Sequence, residues 1–146
     1  MAMSEKQKML AGELYRPDAE IAADHAAAER WMTRYNASGA SSAAELNALL
    51  SERFRKVGKD TIIRPPFFCD YGSNISLGDG VFLNFNCVIL DLADINIGAR
   101  TLFGPGCQLI TVEHPVTDHA RRAQGWERAR PITIGEDCWF GAGAMV

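Results

Sequence analysis

His114 closes the run Leu109-Ile110-Thr111-Val112-Glu113-His114 and stands at the root of a polar stretch, residues 115–131. An imidazole titrates near neutrality, so a histidine at the edge of a loop can take a proton from a hydroxyl. It can equally do no more than cap the end of a strand. Glu127, inside the same stretch, could bond the imidazole and hold its tautomer, or be a surface charge. Asn84 and Asp91 precede His114 in a repetitive region. If that region stacks as parallel coils, an amide, a carboxylate and an imidazole are expected to meet beside the loop. His25 and His119 are the only other histidines. Two histidines five apart on a loop, with a third near the N-terminus, make a poor zinc set, which argues against a metal-dependent hydratase.

The elements that must position these groups follow a beat of six. Large apolar residues recur at Leu77, Leu83 and Ile89, then at Ile97, Phe103 and Leu109, and again at Ile134, Phe140 and Val146. Such a period fits neither an amphipathic helix nor a lone hairpin. It fits short strands joined by tight turns and wound into a coil, as in parallel β-helices built from hexapeptide repeats. Glycine follows the large residue at 78, 98, 104, 135 and 141, which suits positive φ or close backbone approach. A small residue stands four places after the large one at Val81, Cys87, Ala93, Thr101, Cys107, Cys138 and Ala144. Three hexads would close a triangular coil of eighteen residues. Two extra residues, Ile95 and Asn96, interrupt the beat, and the gap between Leu109 and Ile134 reads as a loop thrown out after His114.

Counted by hexads, all four cysteines (Cys69, Cys87, Cys107, Cys138) fall on the small position, so they read as compact fillers of the coil interior. No Cys-x-x-Cys pair exists to suggest a metal or redox site. At 146 residues, one domain with an appended segment is expected. A net charge of −3 gives no reason to propose nucleic acid or an anionic membrane as partner. No apolar run approaches the length of a spanning helix, and the start lacks the apolar core of a signal peptide, so a cytoplasmic address is the default.

Residues 1–60 read as a helical segment of a different period. One helix over residues 4–11 stops at Gly12; a second over 18–35 is capped by Asp18; a third begins at Ser41 or Ser42 and ends at Gly58. Residues 61–146 read as the coil, with the loop at about 115–131. Val146 opens a new hexad, so the chain is expected to stop in mid-coil, either cut short or covered by another subunit.

Several stretches together resemble one family: Leu14-Tyr15-Arg16; Cys69-Asp70-Tyr71-Gly72-Ser73-Asn74-Ile75; Asn84-Phe85-Asn86-Cys87-Val88-Ile89-Leu90-Asp91; Glu113-His114-Pro115-Val116; and Pro131 through Gly141. They resemble the sugar O-acetyltransferases of the maltose, galactoside and nodulation type, within the hexapeptide acyltransferase superfamily. The resemblance implies an all-β, left-handed parallel β-helix with an N-terminal α-helical segment. It also implies a homotrimer with sites between subunits, acetyl-CoA as donor and no metal. The acceptor would be a sugar of the maltose, glucose, galactoside or oligosaccharide type. His114 would be the general base, with Asn84 near the thioester and the attacking hydroxyl. Asp18, Asp70, Phe82 and Asp91 match acceptor positions. Trp139 and Gly141 would begin the acetyl-CoA groove, with Ala142 where some members carry a serine as oxyanion donor. The competing expectation is a non-catalytic sugar-binding or assembly remnant that lacks the later coils of the acetyl-CoA groove.

Overall fold

A computed structural model describes residues 1–146. In chain order, three helices come first: α1 (Glu5–Ala11), α2 (Ala19–Asn36) and α3 (Ala43–Arg53). The first run of strands is β1 (Lys56–Val57), β2 (Ile62–Ile63), β3 (Phe67–Cys69), β4 (Ile75–Leu77), β5 (Phe82–Leu83) and β6 (Cys87–Leu90). It continues with β7 (Ile95–Ile97), β8 (Leu102–Phe103), β9 (Gln108–Ile110) and β10 (Val112–Glu113). A short helix, α4 (His119–Ala123), precedes β11 (Arg128–Ala129), β12 (Ile132–Ile134) and β13 (Trp139–Phe140).

The strands form a three-sided coil. The first side is β1-β4-β7-β12, the second β2-β5-β8-β13 and the third β3-β6-β9, with every pairing on these sides parallel. Lys56 pairs with Ser76 and Ser76 with Asn96, so one full coil takes twenty positions: three hexads and a two-residue step. The hexad residues Leu77, Leu83, Ile89, Ile97, Phe103, Leu109 and Ile134 all point inward and are buried. Cysteines 69, 87 and 107 are buried thiols of the same interior. Cys69, however, pairs with Ile89 and so takes a large-residue position. The two-residue step recurs in the first coil, between Cys69 and Leu77, and counting by sixes passes over it.

Glycine acts here mainly by close approach. A Cβ on Gly98 would lie 2.5 Å from the Gly135 carbonyl carbon and one on Gly78 would lie 2.7 Å from the Ala99 nitrogen. Neither distance is accessible to a real side chain, so the coils can stack only where those side chains are missing.

Helices α1 and α3 each open with a capping box, Ser4–Gln7 and Ser42–Glu45, and Asp18 caps α2. Trp31 and Tyr35 on α2 stack at 5.0 Å and cover the first coil beside Phe54 and Phe67. The Tyr35 hydroxyl donates to the Ile63 carbonyl and the Trp31 indole N–H to the Leu49 carbonyl, so both polar ends are satisfied inside the core. The third helix stops at Arg53 rather than at Gly58. Phe54 turns extended to pack its ring, and pairing with the coil begins at Lys56, ahead of the residue-60 boundary expected from composition. The 115–131 stretch is not an unstructured loop: it contains α4, and β11 returns antiparallel on β10. No helix is long and apolar enough to cross a membrane.

Candidate active site

The β10–β11 hairpin builds the site. Val112 pairs with Ala129 and Glu113 with Arg128, a register that sets His114 across from Glu127. The His114 Nδ1 atom lies 3.7 Å from Glu127 Oε2, with the imidazole 56% exposed and the carboxylate 15% exposed. On its other side Glu127 forms an antiparallel bridge with Tyr15: each backbone N–H donates to the other residue's carbonyl at 3.0 Å. The Tyr15 hydroxyl also donates to Glu127 Oε1 at 2.5 Å. Burial, and then the facing Glu127, push the Tyr15 hydroxyl well above the ordinary tyrosine range, so it stays a proton donor. Tyr15 belongs to a cluster with Met9, Ile21, Tyr71, Leu92 and Ala129 that fastens the N-terminal segment to this edge of the coil.

Two clefts flank the pair, one lined by His114 and the other by Glu127. One, of about 500 Å³, is lined by Leu14, His114, Pro115, Val116 and Arg121 among others. The other, of about 340 Å³, is lined by Pro17, Ile21, His25, Asp70, Tyr71 and Glu127 among others. Asp70 is the expected acceptor residue that the structure brings here. Its Oδ1 atom lies 3.5 Å from His25 Nε2. Burial pushes the Asp70 carboxyl above its usual range, and the facing imidazole draws it part of the way back. In the sequence His25 stands out only as a weak zinc candidate, and Tyr15 only within the stretches that carry the family resemblance. Neither has a mark in the local sequence that announces a partner so far along the chain.

Asn84, Asp91 and His114 do not stack. Leu83 pairs with Phe103, so Asn84 lies over Gly104 at the corner between the second and third sides. His114 follows the far end of the third side, a strand of about four residues or roughly 13 Å away. Asp91 is on His114's edge, yet its side chain is fully buried. Its carboxylate accepts the backbone N–H groups of Tyr71 and Asn74 at 2.9 and 3.1 Å, so it shapes the corner instead of facing a ligand. Burial raises Asp91 to about 6 against the pull of those N–H donors. Asp18 spends one carboxylate oxygen on the Ile21 N–H as the helix cap, and is not among the residues that line the second cleft.

A second group gathers on the other corner. Phe103 pairs with Phe140, so Gly141 continues the column of Asn84 and Gly104, with Ala142 next to it against Gly104. Asn84 Oδ1 accepts from the Phe85 N–H at 2.8 Å and from Arg64 at 3.3 Å. Trp139 is 79% exposed and heads an outward ladder with Leu102, Phe82 and Ile62 on the second side. Phe82 therefore belongs to this face, away from the His114 cleft of the same chain. No three His, Cys, Asp or Glu side chains are grouped to hold a metal ion.

Residues 8–58 match the family described as maltose acetyltransferase hexapeptide capping motif. Nodulation protein L of Rhizobium meliloti (strain 1021) is 46% identical over 147 residues, spanning all of this chain and 80% of that protein. The chain belongs to the hexapeptide-repeat sugar O-acetyltransferases of the maltose, galactoside and nodulation type. Among solved structures, a maltose O-acetyltransferase from Clostridium difficile 630 superposes with a TM-score of 0.95 at 32% identity, covering 99% of this chain and 78% of that one. A hexapeptide-repeat acetyltransferase from Vibrio cholerae O1 biovar eltor, solved with acetyl coenzyme A, gives 0.83 at 38% identity, covering 98% and 80%. The matched capping segment contains Tyr15, which bonds Glu127, and α2, whose Ile21 and His25 line the second cleft.

Proposed function

We propose that the protein transfers the acetyl group of acetyl-CoA to a hydroxyl of a sugar, with His114 as general base. The observation that carries this reading is His114 Nδ1 facing the Glu127 carboxylate while the ring opens into a cleft. A carboxylate at Nδ1 favours the proton there and leaves the lone pair on Nε2. Nε2 takes the proton of the sugar hydroxyl as its oxygen attacks the thioester carbonyl carbon. The tetrahedral intermediate collapses, the C–S bond breaks, and the imidazolium returns its proton to the departing thiolate. No acyl-enzyme is needed. A positioned base contributes roughly 10²–10⁴-fold. The second cleft suits a polyhydroxylated acceptor, since Asp70, His25 and Glu127 offer hydrogen-bonding groups around the apolar Ile21 and Leu92. The Vibrio relative crystallised with acetyl coenzyme A supports the donor.

In this reading the coil is left-handed, as in the family, and three copies form a trimer with each site between neighbouring subunits. Two observations support the sharing. The Asn84–Gly141–Trp139 corner lies across a side of the coil from His114, which favours its supply to the His114 cleft by a neighbouring copy. The outward residues of the first side are polar, Lys56, Ser76, Asn96 and Thr133, whereas those of the second and third sides are mostly apolar: Ile62, Leu102 and Trp139; Phe68, Val88 and Ile110. Apolar outer faces suit burial against a partner. Asn84 then stands near the thioester, and Trp139, Gly141 and Ala142 line the donor groove.

His114→Ala tests the function. Acetyl transfer from acetyl-CoA to maltose, glucose and a galactoside should fall at least about a hundredfold, with the fold retained. Undiminished turnover would reject His114 as the base.

A further inference from the structure

We infer that Tyr15 is a positioning residue for acetyl transfer: it holds the Glu127 carboxylate so that one oxygen stays turned to His114 Nδ1. The inference rests on the acetyl-transfer reading above. It extends the part played by the N-terminal segment from closing the end of the coil to setting the state of the base.

Three contacts tie the two residues. Both backbone N–H groups exchange bonds, and the phenol donates to Oε1, although the residues are 112 positions apart. Tyr15 is fully buried, so no bulk water competes for that carboxylate oxygen. Its neighbours are pinned as well. The Arg16 N–H donates to Glu5 Oε2 at 2.7 Å, and its guanidinium lies 5.8 Å from the centre of the Trp126 ring. Leu14 lines the first cleft and Pro17 the second, so the extended stretch 14–17 walls the ground between them. With Oε1 engaged, the oxygen left for the imidazole is Oε2. A freely rotating carboxylate would present either oxygen, or turn to water, and the exposed His114 ring would lose its reference. Fixing a carboxylate against Nδ1 selects the tautomer whose Nε2 accepts the substrate proton.

Tyr15→Phe keeps the ring in its cluster and keeps the backbone bridge, and removes only the donor. In the full chain, kcat should fall roughly tenfold, the scale of one hydrogen bond to a charged group, while KM for acetyl-CoA changes less than about twofold. The ¹⁵N resonances of His114 at fixed neutral pH give the decisive readout. Wild-type protein should show the Nδ1–H tautomer, and Tyr15→Phe a mixture. A fall in kcat with the tautomer unchanged would reduce Tyr15 to packing and overturn the inference, as would full activity in the variant. Should Tyr15→Phe fail to fold, the wild-type spectrum alone decides: a dominant Nε2–H tautomer overturns it. Loss of activity in His114→Ala beside a wild-type-like Tyr15→Phe would remove this inference and leave the acetyl-transfer reading standing.

Discussion

Glu127→Gln separates a carboxylate that supports the base from one that merely lies nearby. Gln matches Glu in shape, so packing is unaltered. The Tyr15 hydroxyl donates to this group, and the new amide keeps that bond by turning its oxygen toward Tyr15 and its NH₂ toward His114. The imidazole then meets a donor at Nδ1, which favours the opposite tautomer and leaves Nε2 carrying the proton. The imidazolium that forms during transfer also loses its counter-charge at 3.7 Å. That attraction is worth about 1 kcal/mol at the dielectric of water and about 4 at an effective value near 20. Because His114 is more than half exposed, the loss should fall toward the lower end, about 1–3 kcal/mol, or roughly 5- to 150-fold in kcat. The assay is release of the CoA thiol from acetyl-CoA in the presence of a sugar acceptor, with circular dichroism to confirm the fold. A kcat within twofold of wild type, or an effect confined to KM, would refute the assigned role.

Gly98→Ala would set a methyl 2.5 Å from the backbone of the next coil, and should destabilise the protein by about 2–4 kcal/mol in urea unfolding, against less than about 0.5 for Gly39→Ala, whose Cβ meets only Pro65 at 3.9 Å. Equal stabilities for the two variants would contradict the close-approach account of the glycines. Leu102→Asp puts a charge on the apolar outer ladder of the second side; if the proposed trimer packs through this face, light scattering should show a shift toward monomer, with activity lost in parallel. A wild-type mass and rate would place the subunit contact elsewhere.

The coil was legible because its cause is local and repeated. Each inward position of a hexad carries a large apolar residue, and each close approach a glycine, so seven inward residues from Leu77 to Ile134 could be named before any coordinates. His114 was legible as the last residue before the beat breaks. Counting by sixes puts Cys69 on a small position, because the first coil also contains the two-residue step that the sequence marks only at Ile95 and Asn96. The N-terminal contribution to the site was not legible. Nothing near Leu14-Tyr15-Arg16 indicates a partner at Glu127, and the hairpin that returns Glu127 to His114 lies in the one stretch where the six-residue rule does not operate.

Periodicity settles which residues point inward, because burial of an apolar side chain repeats with the backbone that presents it. It does not settle which outward residues share an edge. Asn84 and His114 stand on different corners, and Asp91, on the same edge as His114, turns its carboxylate into the backbone of the neighbouring coil. Those outcomes depend on coil length, on the two-residue step and on a hairpin register, all of them long-range pairings whose free energy is realised only when distant strands meet.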